Sequence, residues 1–252
     1  MRTGPRLPVV RADRELPRAH AAVRAGMVVA AAALSACGDA AQTALFPLEA
    51  GHRWAYDVRT EWENQTVDHE TRLITTEGTL AVGDKPAWVR RSADGVEWYL
   101  RRDDTGIFRV ATRSDLDPEP KADAAPRYVL KHPIAVGTQW QHSTTAYLLR
   151  RRQEFPPEIR HTHPAVPMIY TIESVGQAVD TRVGRFDGCV KVAGRAVVRL
   201  FADPVVGWRD MPLQTTEWYC PGPGLVRLVR EEPAQSTFLV GGTLTMELTA
   251  WN

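Results

Sequence analysis

Along most of the chain, apolar and polar residues alternate one by one. Trp54, Tyr56, Val58 and Thr60 take every second place, with Ala55, Asp57 and Arg59 between them. Successive side chains of a β-strand point to opposite faces, so such a stretch reads as a strand with one buried face. The runs are short and punctuated. Gly83-Asp84-Lys85-Pro86, Ala93-Asp94-Gly95 and Asp103-Asp104-Thr105-Gly106 each read as a turn between strand-like segments. Trp, Tyr, Val and Ile within those segments favour strand over helix. Beyond residue 45 no stretch of a dozen residues carries a helical period. Residues 113–126 and about 152–166 are polar and proline-rich and read as loops. Strands are predicted again over 169–175, 177–183, 189–201, 213–219, 225–230 and 238–251. The pattern predicts an all-β, antiparallel meander with little helix.

One pattern occurs twice. Pro47-Leu48-Glu49-Ala50-Gly51-His52-Arg53-Trp54 matches Pro133-Ile134-Ala135-Val136-Gly137-Thr138-Gln139-Trp140, so that Pro-(Leu/Ile)-x-x-Gly-x-x-Trp recurs 86 residues on. Proline stops a preceding strand, the aliphatic residue enters the core, glycine permits positive φ, and tryptophan opens the next strand. Two copies predict either two adjoining β units or duplicated corners of one sheet. They are too few for a solenoid.

The first 45 residues differ in kind. Six arginines (2, 6, 11, 14, 18 and 24) precede the apolar run Met27-Val28-Val29-Ala30-Ala31-Ala32-Ala33-Leu34. Small residues then lead to a cysteine in Leu34-Ser35-Ala36-Cys37. A basic stretch, a short apolar stretch and a small-residue cleavage site are the parts of a secretory signal peptide. The run is about ten residues, half of the roughly 20 that span a bilayer. Leu-Ser-Ala-Cys resembles the lipobox of bacterial lipoprotein precursors. The resemblance implies removal of residues 1–36 and lipid on Cys37, which becomes the first residue of the mature chain. A start at Met27 would lose every one of these arginines, so the longer form is preferred. Residues 37–45 are then the lipidated cysteine and a tether reaching roughly 25–30 Å, and 46–252 the folded domain. In many enteric-type bacteria an Asp directly after the lipidated cysteine marks retention at the inner membrane. Here Gly38 takes that place and Asp39 follows, which favours the outer membrane.

Removal of 1–36 takes six basic and two acidic residues from the 31 and 30 of the whole chain, leaving a net charge near −3. A nucleic-acid partner would call for a basic excess instead. The same balance argues against electrostatic recruitment to anionic lipid, and acyl chains on Cys37 would supply the membrane affinity. With Cys37 set aside, Cys189 and Cys220 form an even pair in an oxidising compartment. Cys189 follows the turn Asp187-Gly188 and is read as starting a strand, and Cys220 as ending one. If those strands are antiparallel neighbours, the two thiols meet at one rim.

Three segments together carry a wider resemblance. They are Phe46-Pro47-Leu48 to Trp54 with its echo, Val183-Gly184-Arg185-Phe186-Asp187-Gly188-Cys189-Val190-Lys191-Val192, and Trp218-Tyr219-Cys220-Pro221-Gly222-Pro223-Gly224-Leu225-Val226-Arg227. The combination resembles a broad group of bacterial lipoproteins and periplasmic proteins, similar in turn to the lipoprotein-localisation carriers. The resemblance spans most of 46–230. Pro223 stands where the pattern has a small aliphatic residue, and Arg227 where it has lysine. What it implies is an antiparallel sheet curled into an open half-barrel with an apolar concave face, in the periplasm. It implies no activity, since fold alone does not license function.

Candidate chemistry is sparse. His161-Thr162-His163 would place two imidazoles on one face of a strand, as a metal site requires. A third ligand, Glu158 or His142, would still be needed, and in a proline-rich loop solvated histidines are the simpler reading. Asp103-Asp104 and Glu231-Glu232 are adjacent acids that point to opposite faces of a strand, not acid/base dyads. No nucleophile elbow, phosphate loop or zinc-protease motif is present, and no pattern asks for a cofactor. The eight tryptophans either fill the sheet's core or line a concave cavity for lipid or hydrophobic peptide. The expectation is therefore a non-enzymatic, membrane-anchored protein that binds a hydrophobic ligand or an envelope partner. The alternatives are a structural lipoprotein with no ligand and a metal-dependent enzyme built on His161 and His163.

Overall fold

The structure is a computed structural model and describes residues 45–252. The proposed signal peptide, Cys37 and nearly all of the tether lie outside the described residues. Fourteen strands follow one another: β1 Arg53–Trp62, β2 Val67–Val82, β3 Lys85–Ser92, β4 Glu97–Asp103, β5 Gly106–Arg113, β6 Lys121–Lys131, β7 Gln139–Thr144, β8 Arg150–Arg151, β9 Val166–Thr181, β10 Gly184–Asp203, β11 Gly207–Cys220, β12 Gly224–Glu232, β13 Leu239–Val240 and β14 Gly242–Trp251. Among the described residues one 3₁₀ turn, Ile159–His161, interrupts them.

Twelve of these strands form one antiparallel sheet in the order β6-β5-β4-β3-β2-β1-β14-β12-β11-β10-β9-β7. Chain order and spatial order agree apart from the small strands β8 and β13, which pair with each other. The sheet curls until it is nearly closed into a barrel. β1 carries a ladder on both sides, to β2 and to β14, and the β14 ladder joins the two ends of the fold. The one junction without a ladder is β6–β7, two strands consecutive in the chain. Side chains bridge this seam instead. The Trp140 indole donates to the Tyr128 carbonyl at 3.1 Å, and Arg127 donates to the Ser143 carbonyl.

The all-β meander is as the alternation predicts. The echo marks duplicated corners of one sheet rather than two β units. Gly51 and Gly137 have φ of +93° and +90°, a region that L side chains rarely adopt. Gly51 N–H donates to the Thr76 carbonyl, and Thr76 N–H returns a bond to His52. Gly137 and Thr138 hold Ile172 by the same pair of bonds. In each corner two residues face one across the ladder, the geometry of a glycine β-bulge.

Several boundaries differ from the sequence expectation. Residues 121–126 belong to β6 rather than to a loop. Pro126 is tolerated because β6 is an edge strand and 123–126 bulge away from the β5 ladder between Ala122 and Arg127. The strands expected at 169–175 and 177–183 are one, β9. Gly176, at φ +76°, is absorbed as a bulge and does not end the strand. β10 begins at Gly184 and β11 at Gly207, so both are longer than predicted. The expected strand 238–251 breaks at Gly241 into β13 and β14. A Cβ there would lie 2.0 Å from the Glu232 carbonyl oxygen.

Candidate functional site: a cationic cavity inside the barrel

Cys189 and Cys220 are bonded as a disulfide. They face each other across the β10–β11 ladder, beside the pair Val190–Tyr219. Cys220 ends its strand as predicted. Cys189 does not start one: it lies within β10, between two register shifts near Gly188, because β10 runs on to pair with the end of β9. The bridge packs with Trp54, Tyr56, Met246 and Leu248 in one apolar cluster.

Eleven of the strands' inward faces, helped by Phe46, line a cavity of about 310 Å³. Its apolar lining comes from Phe46, Ile74, Trp98, Leu100, Val129, Leu225 and Met246, with tyrosines 56, 128, 170 and 219. Of the eight tryptophans only Trp98 belongs to it. Trp54 and Trp140 are buried in the core, while Trp208 is 61% exposed. The concave surface is also less apolar than expected. Arg72, Arg90, Arg109 and Arg127 face it, and the only carboxylate among its described lining residues is Glu217.

These arginines fall into two kinds. Arg109 is held by Asp123 through two bonds, 2.8 and 2.6 Å, and Arg72 by Glu70 at 2.5 Å. Arg90 and Arg127 form no ion pair among the described residues. The Arg90 guanidinium lies 4.0 Å from the centre of the Phe46 ring and 4.3 Å from that of Trp54, a double cation–π contact. Its Nη2 donates to the Pro47 carbonyl at 2.6 Å, while its Nε is shielded from solvent without any partner. Burial pulls this group down to about 10, so it stays charged at neutral pH. Arg127 is also lowered, first by burial and then by the charge of Arg109.

The seam supplies the rest. His142 on β7 lies 4.3 Å from the Tyr170 ring and 3.5 Å from the Arg127 guanidinium. Burial, with Arg127 and Arg109 adding to it, pushes the imidazole down to about 4, so it is neutral at pH 7. Glu217, in the same lining, accepts the Tyr219 hydroxyl at 2.5 Å, and burial raises its pKa.

His161 and His163 are elsewhere. They sit on and just after the 3₁₀ turn, not on a strand, so the shared face that a metal site needs is absent. His161 pairs with Glu158 at 3.4 Å, and His163 with the Thr162 hydroxyl. His142 is in the cavity wall and does not join them. Among the described residues no three His, Cys, Asp or Glu are grouped to hold a metal ion. The sequence reading missed the arginines, although a signal was there. Arg90 is two residues from Trp88, and Arg109 two from Ile107, so each shares the face of an inward residue.

No protein-family model matches this chain, and no curated protein does. Solved structures similar to it include a Parabacteroides distasonis protein described as a lipoprotein, with a TM-score of 0.39 and 13% identity over 82% of this chain and 98% of that one. A Bacteroides fragilis protein described as exported, with a YmcC-like fold, has a TM-score of 0.36 and 12% identity over the same shares. A LolA superfamily protein from Nitrosomonas europaea has a TM-score of 0.32 and 9% identity over 86% of this chain and 92% of that one.

Proposed function

We propose that this chain is a lipoprotein of the bacterial cell envelope, anchored through Cys37, whose barrel binds a hydrophobic ligand without catalysing a reaction. The observation that carries the reading is the cavity: about 310 Å³ inside a sheet that is laddered at every junction but one. That volume is at the low end of the roughly 300–1,000 Å³ of small-ligand sites. The disulfide supports an oxidising compartment, and Leu34-Ser35-Ala36-Cys37 supports the anchor. Gly38 after the cysteine favours the outer membrane. The test is purification of the full chain from membranes, followed by mass spectrometry of extracted small molecules. A reproducible stoichiometric lipid supports the reading, and an empty protein in several preparations removes it. The anchor is tested separately: Cys37→Ser should abolish incorporation of labelled palmitate, and equal label in the variant would sink it.

A second reading, binding of an envelope protein, is favoured by the tip between β10 and β11. There Val205 is 94% exposed, with Val206 and Trp208 beside it. Crosslinking in whole cells from position 205 should yield one discrete adduct if the tip docks a partner. A ladder of unrelated adducts would argue against it.

A further inference from the structure

The unpaired charges inside the barrel specify the ligand more narrowly. A buried cation lacking a counter-charge is costly, and a shielded N–H without an acceptor adds the desolvation cost of that group. Arg90 has both defects, with no ion pair and an unpartnered Nε. The second unpaired cation of the cavity, Arg127, is on β6 at the seam, where no ladder occupies the edge. Two of the four lining arginines are already neutralised, by Asp123 and Glu70. Two unpaired positive charges therefore remain, and Glu217 is the one carboxyl among the described lining residues.

We infer that the cavity seats the anionic head of a single-tailed amphiphile, a carboxylate or a phosphate monoester, against Arg90, with Arg127 the other unpaired cation of the same lining. The inference rests on the ligand-binding reading above and narrows it. Guanidinium presents several donors in a planar fork suited to either anion, and the bonds are charge-assisted. The tail lies against Ile74, Leu100, Leu225 and Met246, which share the same lining. A cavity at the small end of the ligand-site range has room for one tail and not for several. Glu217 opposes a second negative group near the Tyr219 end. Phe46 and Trp54 hold the Arg90 guanidinium from both faces, so its position is set before a ligand arrives.

The experiment compares three ligands with one tail on the full chain, purified in a non-ionic detergent: hexadecanoate, hexadecyl phosphate and hexadecanol, with inorganic phosphate as the tail-free control. Binding is read by displacement of a fluorescent fatty acid. Both anions should bind at least about tenfold more tightly than the alcohol, the equivalent of one charge-assisted bond. The tighter of the two identifies the head. Arg90→Gln should remove the preference of the two anions over hexadecanol, and Arg90→Lys should restore part of it. If Arg90→Gln does not fold, Arg127→Gln and the three-ligand comparison on the unaltered chain decide. Equal binding of acid and alcohol overturns the anionic head and leaves the ligand reading standing. Failure of all three removes both. Inorganic phosphate binding as tightly as hexadecyl phosphate overturns the amphiphile.

Discussion

The two corners of the barrel share a sequence pattern and a backbone, yet they meet different surroundings. Corner one, residues 47–54, leads into β1, which is laddered on both sides. Corner two, residues 133–140, leads into β7, which is laddered only to β9. Trp54 donates its indole N–H to the Pro223 carbonyl at 2.7 Å, and its ring covers Arg90. Trp140 stacks on Tyr170 with 7° between the planes and reaches across the seam to Tyr128. The difference teaches that the local motif makes the turn, while the neighbours decide what its tryptophan secures. At corner one it braces a cation inside a closed wall. At corner two it is itself part of the wall.

The largest effect should come from the residue that ties down the chain after corner two. Glu232 on β12 is fully buried and accepts the backbone N–H groups of Tyr147, Leu148 and Leu149. Arg230 lies beside it at 2.7 Å. Glu232→Ala leaves that arginine buried without its carboxylate, and should cost about 3–5 kcal/mol. Chemical denaturation checks this. A loss under about 1 kcal/mol would mean that the segment after β7 is held by packing alone.

Corner one has the disulfide behind it. The bridge closes 31 residues of sequence. Replacing both cysteines with serine should therefore lower stability by about 3–4 kcal/mol in the chain-entropy model. Hydrogen exchange should show the loss centred on β10, β11 and β1, with β6 and β7 little changed. Uniform loss over the barrel would show that the two corners are not independent.

A smaller and more local change distinguishes the seam. Trp140→Phe keeps an aromatic ring but removes the N–H that reaches Tyr128, together with part of the ring area stacked on Tyr170. It should cost about 1–2 kcal/mol and speed amide exchange in β6 and β7. Trp54→Phe should leave those strands unchanged, because β1 keeps both its ladders. Equal acceleration of the seam by both variants would refute the distinction.

The smallest effect is a pH dependence confined to corner two. His142 is depressed to about 4 in the folded chain, against an ordinary value of 6.5. Unfolding therefore takes up a proton between those values. The stability this neutral imidazole contributes is present above about 6.5 and is lost as pH falls toward 4. His142→Asn should flatten that part of the stability curve. At pH 5.5 the difference should be below about 1 kcal/mol once partial exposure is allowed for. An unaltered curve would place the acid sensitivity in the carboxylates instead.

Much of the fold was legible because strand alternation is local. The turns at 83–86, 93–95 and 103–106 need only Asp and Gly between apolar runs, and all three are found in place. Errors arose where a local signal has two meanings. Gly176 and Gly188 read as strand ends, but within a long ladder they are bulges. Pro126 read as loop, but an edge strand tolerates it. The site was less legible than the fold. Arg90 looks like any polar strand residue until Phe46 and Trp54, 44 and 36 positions away, close over it.

By itself the sequence determined the alternation that makes strands, the two corners whose glycines take positive φ, and the pair of cysteines free to bond once Cys37 is set aside. These depend on side-chain size, backbone freedom and residue type, all readable one segment at a time. Only the tertiary structure decided that consecutive strands β6 and β7 stay unpaired while β1 and β14, whose partners are 180 to 197 residues apart, pair. Only it decided that four arginines share one interior and that two of them keep no counter-ion among the described residues. Ladder closure depends on how far the whole sheet curls, and a charge is paired or unpaired only relative to strands distant in sequence.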